Sequence, residues 1–137
     1  MTPASSNPVA AYRTVGLQTS VEGSSPHHLI VLLMSGARKA ILTARGGMEE
    51  RNVALKGSAI TQAIDIILNG LRASLDLEKG GEIAANLSAL YDYMARRLLR
   101  ANLHNDVAAL DEVLRLLTEI QEAWESIGDR PGADATG

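Results

Sequence analysis

The segment IAANLSALYDYMARRLLRAN, residues 83–102, repeats apolar side chains every three or four positions, and that period decides the fold. At 100° per residue, Ile83, Leu87, Leu90, Met94, Leu98 and Ala101 fall along one side of a helix. Gly80-Gly81 separates it from the preceding segment, and Asn102, which tolerates left-handed backbone, is placed to end it. Three other segments share the period. Ser25-Pro26 opens the first, with Ser as N-cap and Pro at the first helical position. Its inner face is Leu29, Leu33, Ala37, Ala40 and Ala44, and Gly46-Gly47 is expected to stop it. The second turns Val53, Ile60, Ile64, Ile67, Leu71 and Leu75 inward. The fourth starts at Asn105 or Asp106 and buries Leu110, Val113, Leu114, Leu117, Ile120 and Trp124. The short connections force neighbouring helices to alternate in direction, so the spacing predicts an all-α, antiparallel up-down four-helix bundle with helices at about 26–45, 51–77, 81–101 and 106–127.

The composition agrees with one such domain. Hydrophobic residues make up 46% of the 137 residues and are almost wholly Ala, Leu, Ile, Val and Met, with no Phe. These residues tile helix interfaces. Residues 1–8 and 128–137 are polar, rich in turn formers and without period, so both are expected to be disordered. Residues 9–24 hold Val9, Tyr12, Val15, Leu17 and Val21 and are read as a short helix or extended arm docked on the bundle. A net charge of -3 argues against a general nucleic-acid or anionic-membrane binder. The longest apolar run, Leu29 to Met34, is far below the roughly 20 residues that cross a bilayer. With no cysteine and no signal-peptide pattern, a cytosolic location is expected.

Two helices carry more than one apolar stripe. On the second, Ala59, Ala63, Ile66, Gly70 and Ala73 form a row of mostly small residues well away from the core row of Ile60, Ile64, Ile67 and Leu71. On the third, Ala84, Ser88, Tyr91, Ala95 and Leu99 make a similar row beside the core row. Close packing inside the bundle explains such rows, because small residues let backbones approach; a shallow groove that receives an apolar helix of another chain explains them equally. A third account is a self-assembling helical scaffold whose extra stripes join copies. On the groove reading, Tyr91 borders the groove, Tyr93 keeps its hydroxyl in water, and a glutamate at Ala63, Gly70 or Ala95 weakens binding without unfolding the chain.

Catalytic chemistry finds no footing. His27, His28 and His104 lack the companions of metal-binding helices, and no phosphate-cradling glycine motif or GxSxG elbow occurs. Neither an enzyme nor a cofactor is expected. The acidic neighbours Glu49-Glu50 and Asp111-Glu112 point about 100° apart on a helix and read as solvated faces. Arg96, Arg97 and Arg100, the only basic cluster, read as a solvated face or as contacts for a partner's acids.

Four pieces of the chain together resemble the flagellar secretion chaperone family: AAYRTV in the arm; the Ser-Pro pair followed by LIVLLMSGARKAI; LRASLDLEKGGEIAANLSALYDYMARRLLRAN; and NDVAALDEVLRLLTEIQEAW. The match runs from Tyr12 through Trp124. It departs at His27-His28, where the family usually has acidic residues, which removes a favourable charge at the helix start, and near Ser35-Gly36. The resemblance implies a helical bundle that binds the C-terminal segment of flagellin, keeps it from polymerising and delivers it to the flagellar export gate, with further flagellar regulators as additional partners. It also implies that the arm, through Val9, Tyr12 and Val15, competes for the groove formed by Ala59, Ala63, Ile66, Gly70, Ala73, Ala84, Ser88, Tyr91, Ala95 and Leu99.

Overall fold

The computed structural model describes residues 25–127. The expected arm at 9–24 and the expected loose ends lie outside the described residues. The described part is all-helical: α1 (Pro26–Glu49), α2 (Val53–Asp65), α3 (Leu77–His104) and α4 (Val107–Ile127). Each helix packs on the next, and α4 packs back on α1. The start of α1 meets the end of α4 at His27 and Trp124, while its last turns meet the start of α4 through Arg45 Nη1 and Asp111 Oδ1, 2.5 Å apart. Among the described residues no helix is long and apolar enough to cross a membrane.

Side chains of all four helices converge on one core, in which Met34, Ile41, Ile60, Ile67, Met94, Leu98, Leu110 and Leu117 are enclosed. Burial of each stabilises the fold by about 1.5–3 kcal/mol before chain entropy is counted. The caps follow local chemistry. Ser25 Oγ accepts from the His28 amide at 3.1 Å, Asn52 Oδ1 from Leu55 at 3.0 Å, and Asp106 Oδ1 from Ala109 at 3.2 Å, each relieving an orphan donor of a first turn.

Several boundaries differ from the sequence expectation. Gly46-Gly47 does not end α1, which continues to Glu49. A Cβ on Gly47 would lie 2.9 Å from the Lys56 backbone nitrogen, so this glycine lets α1 and α2 approach and does not serve as a terminator. The second helix is not regular to residue 77. After Asp65 it widens into a π-helical stretch, Ile66–Leu71, and then tightens into a 3-10 turn, Arg72–Ser74. The chain breaks at Leu75, which is extended, and Asp76 caps α3 by accepting from the Lys79 amide. Of the Gly80-Gly81 pair, Gly81 has φ 55° and kinks α3 after its first turn. At the far end Asn105, not Asn102, takes the left-handed conformation, with φ 51°.

Two residues expected in the core are outside it: Val53 and Ile83 are each 72% exposed. Val53 is the first residue of α2, and Ile83 lies just beyond the Gly81 kink, so neither is in register with the body of its helix. In α3 most buried positions follow a spacing of seven, Ala84, Tyr91 and Leu98 in one series and Met94 and Ala101 in another, with Ala95 beside them. That is the period of helices packed at shallow angles, and it moves the seam from Leu90 toward Tyr91.

Candidate partner-binding site

The two rows of small residues meet a different fate from the one a free groove requires. In the unbound chain Ala59, Ala63, Ile66, Gly70, Ala84, Tyr91 and Ala95 are buried, Ser88 is half-buried, and only Ala73 and Leu99 are exposed. α2 packs against α1 and α3 together, so both of its stripes are covered for much of their length. The π-helical stretch, with its wider turn, rotates the residues after it away from the line of a straight helix and carries Ala73 into solvent. Ala63 is wholly enclosed, so a glutamate there, and likewise at buried Gly70 or Ala95, buries a charge and cannot leave the fold untouched. Of the two rows only Leu99, at 51% exposure, Ala73 and part of Ser88 reach solvent, while Gly70 faces Leu33 of α1.

Tyr91 is not a rim residue. It is 3% exposed, and burial pushes its phenol up to about 12. It lines an apolar cavity of about 40 Å³ with Ile30, Met34, Leu75, Leu87 and Trp124. Trp124 closes this end of the molecule: its ring stacks on His27 with centroids 5.3 Å apart and planes 8° from parallel. Trp124 Nε1 donates to the His27 carbonyl at 3.1 Å, and His27 Nε2 lies 2.7 Å from the Trp124 carbonyl.

Tyr93 does not leave its hydroxyl in water. It donates to Glu112 Oε2 at 2.6 Å, and Arg97 Nε donates to Glu112 Oε1 at 2.7 Å. The Tyr93 hydroxyl and, after it, the Arg97 guanidinium hold the Glu112 carboxyl below its ordinary value. The same hydrogen bond raises the Tyr93 phenol. Arg96 pairs with Asp92 and Arg100 with Asp106. All three arginines of the basic cluster thus meet acids of their own chain, and Asp111 and Glu112, expected to be solvated, are partners of Arg45 and Arg97.

At the opposite end lies Lys56, which the sequence reading passed over. It is 7% exposed, and its ammonium donates to the Asn102 carbonyl at 3.0 Å and to Asn105 Oδ1 at 2.7 Å. Its signal was present: Lys56 stands four before Ile60, in register with the buried stripe. His27 and Gln121 are polar residues in buried register too, and Gln121 Oε1 accepts from Arg38 Nη1 at 2.9 Å.

The profile of the family described as flagellar protein FliS matches residues 8–131. The chain belongs to that family. It is 52% identical over 122 residues to the flagellar secretion chaperone FliS of Salmonella typhimurium, covering 89% of this chain and 90% of that one. It is 47% identical over 116 residues to FliSB of Pseudomonas aeruginosa, covering 85% and 91%, and 34% identical over 119 residues to FliS of Bacillus subtilis, covering 87% and 84%. The FliS family is one of flagellar secretion chaperones and not of enzymes.

Proposed function

We propose that this chain is a cytosolic export chaperone that binds the C-terminal helical segment of flagellin, prevents its premature polymerisation and presents it to the flagellar export gate, where further flagellar regulators share its surface. In this reading the bundle is antiparallel and up-down, a geometry favoured by the pairing of His27 with Trp124 and of Arg45 with Asp111 at opposite ends of α1 and α4. The observation that carries the proposal is the α2–α3 face, in a chain 52% identical to a flagellar secretion chaperone. On its two rows Leu99 and Ala73 are exposed, while their other members, apart from half-buried Ser88, are buried. Leu99, Ala73 and Ser88 touch the flagellin helix; the buried Ala59, Ala63, Ile66, Gly70, Ala84, Tyr91 and Ala95 set the spacing of the helices that carry them.

A flagellin segment that orders only on contact spends part of its contact energy on folding, which keeps the complex releasable. The arm, through Val9, Tyr12 and Val15, competes with flagellin in the free chaperone. A chain lacking residues 1–16 then binds flagellin more tightly, and unchanged or weaker affinity argues against competition.

Co-expression with the cognate flagellin tests the main reading. The two proteins co-purify one to one, and deletion of flagellin's C-terminal segment abolishes the complex; co-purification that survives the deletion refutes it. Sedimentation of the chaperone alone as a stable oligomer that ignores flagellin supports the scaffold instead.

A further inference from the structure

A cavity of about 300 Å³ opens where the α1–α2 turn meets the α3–α4 turn, with Gly47, Arg51, Val53, Lys56 and Asn105 among its walls. The volume equals the liquid share of about ten waters, at the lower end of sites that bind ligands. The lining contains two cations and no carboxylate. Lys56 is 7% exposed, yet its ammonium is met only by two neutral oxygens, the Asn102 carbonyl and Asn105 Oδ1. Neither Lys56 nor Arg51 joins an ion pair among the described residues, whereas Arg45, Arg72, Arg96, Arg97 and Arg100 all do. The carbonyl ends of α1 and α3 lend this corner partial negative charge, but the cavity wall holds no full anion to pair with Lys56 and Arg51.

The cavity stands at one end of the α2–α3 face. Lys56 precedes Ala59 by three residues and so begins the same row, and Leu103 follows Leu99 by four. One wall is apolar and open, with Val53 72% exposed. A polypeptide lying along the face therefore reaches, at this end, a pocket that offers two cations to an anion and the open side chain of Val53 to the residue before it.

We infer that this cavity is a carboxylate site that receives the terminal α-carboxylate of the bound partner segment, with Lys56 and Arg51 as its ligands and Val53 flanking the last side chain. The inference rests on the proposed binding of a flagellin C-terminal segment, and it adds where that segment ends and in which direction it runs. Asn105, held in the left-handed conformation, fixes the Lys56 ammonium in the wall of the site. Charge-assisted hydrogen bonds of this kind are short and directional, so the site discriminates an ionised terminus from a blocked one.

The test is a calorimetric titration of the full chain with a synthetic flagellin C-terminal peptide in two forms, free acid and C-terminal amide. The acid is expected to bind about tenfold more tightly than the amide, the worth of one hydrogen bond to a charged group. The gap closes in Lys56→Met and narrows in Arg51→Asn, which keeps the left-handed backbone that Asn tolerates. Should circular dichroism show Lys56→Met unfolded, Arg51→Asn decides, and an undiminished gap in that variant overturns the assignment. Equal binding of acid and amide to the intact chain also overturns it while leaving flagellin recognition standing. Failure of both peptides to bind removes the carboxylate site and the proposed function together.

Discussion

The two ends of the molecule are built from opposite materials. At one, His27 and Trp124 stack and exchange hydrogen bonds, and the cavity behind them is only about 40 Å³. At the other, a buried lysine bridges two turns beside a cavity of about 300 Å³. Both join elements distant in sequence, but the aromatic end does so by excluding water and the lysine end by holding a charge. The first arrangement contributes stability with little left to recognise. The second leaves a charge and a space, which a ligand can use.

Substitutions sharpen this contrast. The largest effect is expected from Trp124→Ala, which removes the stack and opens the core at that end, lowering unfolding free energy by about 3 kcal/mol in urea titration. A loss below about 1 kcal/mol would mean that the aromatic end is not a structural clamp. Lys56→Met comes next: it leaves the Asn102 carbonyl and Asn105 Oδ1 without their donor, at a cost of about 1–3 kcal/mol. If Lys56→Met were more damaging than Trp124→Ala, the division of labour between the ends would be reversed.

Acid stability probes the ion pairs between the ends. Glu112 has its carboxyl lowered in the folded chain, first by the Tyr93 hydrogen bond, so its contribution is fully present above the ordinary value of 4.5 and is lost as pH falls below it. Glu112→Gln should flatten that part of the stability–pH profile, and an unaltered profile would show that the cluster is energetically idle. Tyr91 works at the other extreme. Its phenol is raised from 10.0 to about 12, so its contribution holds below pH 10 and fades as pH rises toward 12. Tyr91→Phe should remove the latest phase of a phenolate absorbance titration.

The helical class, the four segments and most of the core were legible in residue spacing, because Leu33, Ile60, Ile67, Leu98, Leu110 and Leu117 recur at helical intervals and are buried as that interval requires. The errors came where geometry departs from a straight helix of constant pitch. The π-helical stretch shifts Ala73 outward, and the seven-residue spacing of α3 brings Tyr91 into the seam. Gly47 looked like a stop because a glycine demanded by a neighbour's backbone is spelled like a glycine demanded by a turn. The pairing of Tyr93 with Glu112 lay beyond reach, since period gives faces but not which face of α4 confronts α3. The candidate site was half legible: the rows were found, whereas their burial depends on packing by α1 and α3 that no single stripe reveals. The smallest expected effect on stability belongs to Leu99→Asp, within about 0.5 kcal/mol of the parent because the side chain is half exposed.

That variant also provides the most direct test of the central claim, that flagellin is held on the α2–α3 face. Calorimetric titration with the flagellin C-terminal segment should give a one-to-one complex for the parent chain and an affinity weakened at least about tenfold for Leu99→Asp, with the melting transition unmoved, since a charge then faces the apolar side of the bound helix. Equal affinity for parent and variant would contradict the account.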